Sequence, residues 1–233
     1  MEPERRGRQR QEPFRAGRIF PESKGGERHG RIRMARTPCP SLSAANGQAP
    51  ASHVGTRWGP ELMSGGTYTA RLMVVAFLES SAGLLLMRRS PGARLLPGMW
   101  AGIGGHVEPD ESSAPACAMV REIAEETTLC PQELLNLRLT AIVLRLRGRE
   151  VRQQYVYWGQ APVRDMPETR EGRPAWVPWT EVPTLAMSAS TRFILERQAS
   201  GLFTDALQVG VLTDGGDGEP RVAWNDLADW ESL

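Results

Sequence analysis

Lysine is almost missing from this chain: Lys24 stands alone against 27 arginines, a balance that fits a coding bias toward GC-rich codons and carries no mechanism. Cysteine is scarce as well. Cys39, Cys117 and Cys130 are odd in number and lack paired metal-ligand spacing, which argues against a disulfide framework or a zinc site and for a reduced compartment. No apolar run reaches the ~18 residues that a membrane helix needs; Leu72–Leu78 stops at Glu79. The amino-terminal stretch has no apolar core for a secretory signal. Its Glu2, Glu4, Glu12, Glu22 and Glu27 count against a mitochondrial transit peptide. On these absences the expected location is the cytoplasm, with no membrane partner. No internal repeat is visible.

What is present divides into two parts. Residues 1–62 carry 11 Arg and Lys24 against six Glu, whereas residues 63–233 carry 16 Arg against 21 acidic residues. Residues 1–66 are rich in Arg, Gly, Pro and Ser and poor in aliphatics. Such a segment buries too little apolar surface to offset its ordering entropy, so a disordered basic extension is expected. Two other readings stand beside it: a tail for nucleic acid or acidic partners, or a natural start at Met34 or Met63. Nucleic acid is not the expected partner. Residues 67–233 form the expected folded domain, with 202–233 as a terminal hairpin or extension. At 40% hydrophobic residues the chain holds enough for one sizeable core.

From Thr67 the pattern becomes regular. Tyr68–Leu78 and Leu84–Met87 read as strands about a turn at residues 79–83. Ser90–Gly98 is a Pro/Gly loop, and Met99–Val107 a short glycine-rich strand feeding a loop. A helix is predicted over Pro115–Thr127 and another over Ser190–Ser200, with Gly201 behind it. Leu137–Arg145, Val151–Trp158, Pro174–Trp179, Leu207–Leu212 and Val222–Trp224 complete the strands. Strands and helices mix without regular βαβ alternation, so the class is α+β.

The chemistry concentrates at Arg121-Glu122-Ile123-Ala124-Glu125-Glu126. On a helix, residues three and four apart share a face, so Glu122 lies beside both Glu125 and Glu126 and the like charges repel by a few tenths of a kcal/mol per pair. That cost makes sense if a divalent cation sits among them, since hard cations take carboxylate oxygen alongside substrate phosphates. The plain alternative is a solvated acidic helix held by arginine pairs.

This constellation resembles the Nudix hydrolases, whose signature is G-x5-E-x7-R-E-U-x-E-E-x-G-U with U aliphatic. Gly105, Glu111, Arg121, Glu122, Ile123, Glu125, Glu126 and Leu129 match by type, and residues 96–105 look like the lead-in of MutT-type members. Gly172–Trp179 followed by Glu181-Val182-Pro183 resembles a late strand and short helix of that group. The resemblance spans about residues 67–200. It implies a mixed β-sheet sandwiched between α-helices. It also implies a Mg²⁺-dependent (or Mn²⁺-dependent) hydrolase of phosphoanhydride bonds in a small nucleotide, as monomer or homodimer. By resemblance, Glu122 is the catalytic base or a metal ligand, and Glu125, Glu126 and the Gly104 carbonyl are ligands. Arg121 orients the carboxylates through charge-assisted pairs. No organic cofactor is implied. Trp100 and Trp176 are candidates for stacking on a base. Arg89, with Arg88 and Arg94, is a candidate for phosphate, each otherwise an ordinary core or loop residue.

Two positions depart from the pattern. Nine residues separate Glu111 from Arg121, where the family has seven. With Pro115 at the helix start, the extra pair falls at Ser113-Ala114, so the expectation is an intact helix register and a displaced Glu111. Thr128 stands where the family has glycine. A β-branched residue tolerates a left-handed helix end poorly, so a re-routed end is expected, with Pro131 enforcing the stop.

Substrate markers outside the signature are thin. The NADH-type Ser-Gln-Pro-Trp-Pro-Phe-Pro run, the ADP-ribose-type proline and the dinucleoside-polyphosphate-type tyrosine are not where those groups place them. Arg89-Ser90-x3-Arg94-x3-Gly98 matches part of a coenzyme A-type motif. What remains is the MutT-like group, which hydrolyses (oxidised) nucleoside triphosphates. A coenzyme A or dinucleotide pyrophosphatase is the alternative, and a non-catalytic nucleotide-binding regulatory module the alternative of another class. Residues 187–190 offer no acidic base reader.

Overall fold

Strand β1 (Thr69–Ser80) is apolar at nearly every position of Leu72–Leu78 because both of its faces are covered. In the computed structural model, Val74, Ala76 and Leu78 join one core cluster and Val75 and Phe77 join another. Period-2 alternation sends successive side chains to opposite faces, so a strand covered on both sides reads as a continuous hydrophobic run. The structure describes residues 67–215 and 217–227; the expected extension over residues 1–66 lies outside them.

β1 turns back into β2 (Gly83–Arg89), pairing antiparallel at Leu78 with Leu85. Beyond that pairing the two strands part. The segment after β3 (Trp100–Ala101) enters beside β1, with bridges from Met73 to His106 and from Ala76 to Ile103. β2 meanwhile takes β3 and β6 (Gly172–Val177) as antiparallel partners. On its other edge β1 runs parallel to β5 (Glu150–Gln160), which forms a hairpin with β4 (Leu135–Arg147). β7 (Gln208–Asp214) lies parallel to β4, and β8 (Pro220–Asp226) folds back on it. The sheet is therefore mixed, in the order β3-β2-β1-β5-β4-β7-β8 with β6 on β2.

Helix α1 (Pro115–Thr127) covers one face through Ala118, Met119 and Ile123, all fully buried. Truncating Ile123 to alanine in such a core costs about 2–5 kcal/mol. Helix α2 (Ala189–Ala199) covers the opposite face through Ile194 and Leu195. Ser188 caps it, its hydroxyl accepting the Thr191 N–H at 3.2 Å. This is the expected α+β architecture, a mixed sheet between two helices. The stretch predicted as a strand over residues 99–107 is shorter than expected. Only Trp100–Ala101 is a strand; beyond it Gly102 and Gly104 lie too close to β1 to carry a side chain.

The end of α1 differs from expectation. Thr128 adopts the left-handed conformation itself (φ 60°, ψ 11°), and its N–H bonds to the Ala124 carbonyl at 3.0 Å. The end is not re-routed, and Pro131 arrives after the stop has been made, opening a 3₁₀ turn at Pro131–Glu133. Three contacts hold the strained residue. Arg164 Nη2 donates to the Thr128 carbonyl at 2.8 Å, Leu129 is buried, and the Leu129 N–H bonds to Thr127 Oγ1 at 3.2 Å. Among the described residues Cys130 is a free, exposed thiol. Among the described residues no helix is long and apolar enough to cross a membrane.

Candidate active site

Helical periodicity puts Ala118, Met119, Glu122, Ile123, Glu126 and Thr127 on one buried face of α1. Two carboxylates one turn apart are thus carried inward with the apolar residues: Glu122 is 7% exposed and Glu126 5%. They meet the Gly104-Gly105 segment that lies against β1. The Gly104 N–H donates to Glu126 Oε2 at 2.9 Å. A β-carbon on Gly105 would stand 2.6–2.7 Å from the Glu122 carboxylate, and one on Gly104 would stand 2.2 Å from the Val74 carbonyl. The double glycine is required because backbone and carboxylate occupy that space. The Gly105 and Ile103 carbonyls accept from Val74 and Ala76 of β1. The Gly104 carbonyl between them is left free of β1.

Arg121 organises the cluster. Its guanidinium has five N–H donors, and all five are engaged. Nε and Nη2 grip Glu111 at 2.9 Å each, Nη1 reaches Glu122 at 2.9 Å and Glu125 at 3.3 Å, and Nη2 also reaches the His106 carbonyl at 3.0 Å. Glu111 is therefore not displaced by the two extra residues, contrary to the sequence expectation. The 3₁₀ turn Pro109–Glu111 delivers it, and the loop at Ser112 to Ala114 absorbs the insertion before the helix begins. The paired guanidinium holds the Glu111 carboxyl below its ordinary range and raises Arg121 above its own.

The buried carboxylates behave oppositely. Loss of hydration pushes the Glu122 carboxyl up despite the bond from Arg121. The same loss pushes the Glu126 carboxyl up to about 8 despite the Gly104 N–H. Desolvation penalises a charged carboxylate most where no cation compensates. Glu125 stands apart at the solvent edge, its side chain 59% exposed.

Sequence reasoning missed one residue whose charge acts on the cluster. The Glu171 charge presses on both Glu122 and Glu126, and its carboxylate lies 4.0 Å from Arg89. It is held at the head of β6 by the Ser90 N–H, which donates to the Glu171 carbonyl at 2.8 Å. The following Gly172 (φ 155°) passes so near β2 that a β-carbon would stand 2.1 Å from the Arg88 carbonyl. That glycine at a strand head was the available signal. A lone glutamate 42 residues past Leu129, the end of the signature, has no spacing to mark it.

Trp100 and Trp176 do not face each other. Trp100 packs on the α2-side core and Trp176 on the α1-side core, with Trp176 Nε1 donating to the Arg164 carbonyl at 3.1 Å. Among the described residues, no three His, Cys, Asp or Glu side chains converge as metal ligands. Arg121 draws Glu122 and Glu125 toward itself, and Glu126 is turned to Gly104. The donor set nonetheless suits a hard divalent cation: two buried carboxylates of one turn beside the Gly104 carbonyl that β1 leaves free.

A mixed sheet between helices, with a carboxylate helix locked by arginine against a double glycine, defines a Nudix domain. The NUDIX domain family model matches residues 68–197, and the chain belongs to the Nudix family of hydrolases, which act on phosphoanhydride bonds and generally use divalent metals. Among solved structures, the mutator MutT protein of Bacillus halodurans is 20% identical (TM-score 0.53), with 66% of this chain and 97% of that one covered. The MutT protein of Methanosarcina mazei Go1 is 22% identical (TM-score 0.47), covering 57% and 95%. The dihydroneopterin triphosphate pyrophosphohydrolase of E. coli is 21% identical (TM-score 0.43), covering 58% and 99%. At this identity the likeness speaks to the fold. No curated relative matches the chain.

Proposed function

We propose that the chain is a Mg²⁺-dependent pyrophosphohydrolase of MutT type that cleaves (oxidised) nucleoside triphosphates to the monophosphate and pyrophosphate. The observation that carries this reading is the pair of buried carboxylates, Glu122 and Glu126, poised against Gly104-Gly105 with Arg121 locked beside them. Mg²⁺ or Mn²⁺, when bound, neutralises phosphate charge and makes water a better nucleophile; Glu122, Glu125, Glu126 and the Gly104 carbonyl would hold it. Glu122, made more basic by burial, takes the proton of the attacking water. Arg121 fixes the Glu122 rotamer, and Glu111 fixes Arg121. Arg89, between Glu171 and the loop that follows β2, meets the phosphates. Ser188 is spent on capping α2 and Met187 is buried, so the base-reading residues lie elsewhere.

The test is phosphate release after added pyrophosphatase, over a panel of nucleoside triphosphates, oxidised triphosphates and dinucleotides with Mg²⁺. Glu122→Gln should lower kcat by at least about 10²-fold, the scale of a general base. A dinucleotide or coenzyme A pyrophosphatase is the second reading, favoured by Arg89 and Arg94 on the loop after β2. No turnover on any member, with Glu122→Gln indistinguishable from wild type, would leave the non-catalytic nucleotide-binding module.

A further inference from the structure

Beside the carboxylate cluster lies a cavity of about 510 Å³, within the size range of small-molecule sites. Its wall carries Arg71, Arg89, Arg94, Arg147, Arg152 and His106. Glu150 is the one carboxylate among its described lining residues. It bridges Arg71 at 3.0 Å and Arg152 at 2.9 Å. Arg71 and Arg152 are register partners on neighbouring strands, a like-charge pairing that costs stability. Arg94 and Arg147 form no ion pair among the described residues, and the buried Arg152 Nε has no hydrogen-bond partner. Five guanidinium groups around one carboxylate leave a strong positive excess in a concave site, where low-dielectric walls focus the field on an anion.

The cavity is joined to the catalytic centre through two residues. His106 gives its carbonyl to Arg121 and receives Arg71 Nη1 on its ring Nε2 at 3.0 Å. Arg89 lines the cavity and also stands 4.0 Å from Glu171. Arginine forks suit phosphate oxygens.

We infer that this cavity is an anion subsite of the same active site, and that the preferred substrate carries a second phosphate group at a position separate from the phosphate chain that is cut. This rests on the hydrolase reading above and narrows its substrate class. A plain nucleoside triphosphate occupies the carboxylate centre alone; a compound phosphorylated at a second position reaches both. The cavity selects by KM rather than by kcat, because its arginines touch a part of the substrate that does not react.

Two measurements on the full chain test this. The first is calorimetric titration of inorganic tripolyphosphate in EDTA, with wild type and the Arg94→Gln/Arg147→Gln double variant. The expected result is binding that weakens with salt and at least tenfold weaker binding by the variant, whose circular dichroism and melting match wild type. Equal binding by both proteins overturns the subsite. The second is the ratio of kcat/KM for ATP carrying an added 3′-phosphate over plain ATP, with Mg²⁺. The variant should lower that ratio about tenfold through KM. A ratio that stays fixed while tripolyphosphate binding is lost overturns the substrate assignment and makes the cavity a free-anion site. If neither compound is turned over, the hydrolase reading fails, and the titration still decides whether the cavity binds anions.

Discussion

Replacing Thr128 with glycine should stabilise the protein. Thr128 sits at φ 60° at the end of α1, a conformation that costs an L-residue roughly 1–2 kcal/mol. Its side chain is exposed and makes no hydrogen bond, so removing it forfeits no contact. Thr128 itself bonds only through its backbone, its N–H to the Ala124 carbonyl and its carbonyl to the Arg164 side chain. Glycine keeps both and relieves the strain, but it also loosens the unfolded chain by roughly 0.5–1 kcal/mol. The difference leaves a net gain of about 0–1.5 kcal/mol, centred near 0.75 kcal/mol. For a domain of 150–250 residues each kcal/mol moves the melting temperature by about 2–4 °C, so a rise of about 1.5–3 °C is expected. Scanning calorimetry in EDTA reads it without interference from metal. Asparagine, which tolerates the left-handed region better than threonine, should fall between the two. A Thr128→Gly protein that melts at or below wild type would refute the assignment of strain to this cap.

Three further outcomes follow from the cluster. Glu111→Gln removes the two-pronged grip on Arg121; charge-assisted bonds of this kind contribute about 1.5–3 kcal/mol, so urea unfolding should show a loss near that scale and kcat should drop about tenfold with KM little changed. Gly105→Ala would push a methyl group into the Glu122 carboxylate; activity should collapse while far-ultraviolet circular dichroism stays native, and an active alanine variant would show that the carboxylate is free to move. The third concerns pH. Glu126 rises from an ordinary 4.5 to about 8 in the fold. A raised carboxyl favours the fold in its protonated state, so its contribution is present below pH ~4.5 and is lost as pH climbs through about 8. The metal-free melting temperature should therefore fall across pH 5–8, Glu126→Gln should flatten that slope, and added Mg²⁺ should restore more stability the higher the pH. A metal-free melting curve that rises over that window counts against the burial of an uncompensated Glu126.

The doubts raised by the sequence and the answers given by the fold fall at different places, and the reason is local against non-local information. The run at Leu72–Leu78 and the helix at Pro115–Thr127 were legible because periodicity and caps act within a few residues. The two signature departures were legible as departures, yet both were misjudged. Counting nine residues in place of seven says that a loop is longer. It does not say that a guanidinium with five donors will pull Glu111 back into place. A threonine in a glycine position says that strain must go somewhere. That Arg164 and Leu129 would hold it at Thr128 depends on the segment between β5 and β6, 36 residues away. Glu171 and the arginine cavity were invisible for the same reason. Arg71, Arg94 and Arg147 share no sequence spacing; β5 brings Arg71 and Arg147 to one end of the sheet by pairing with both β1 and β4, and Arg94 comes from the loop after β2. The segment that enters beside β1 links the two halves of the site: its glycines lie against the carboxylates, and its His106 lines the hollow among the guanidinium groups. A substrate that reads both halves is what the geometry favours, and the signature helix alone could never have specified the second.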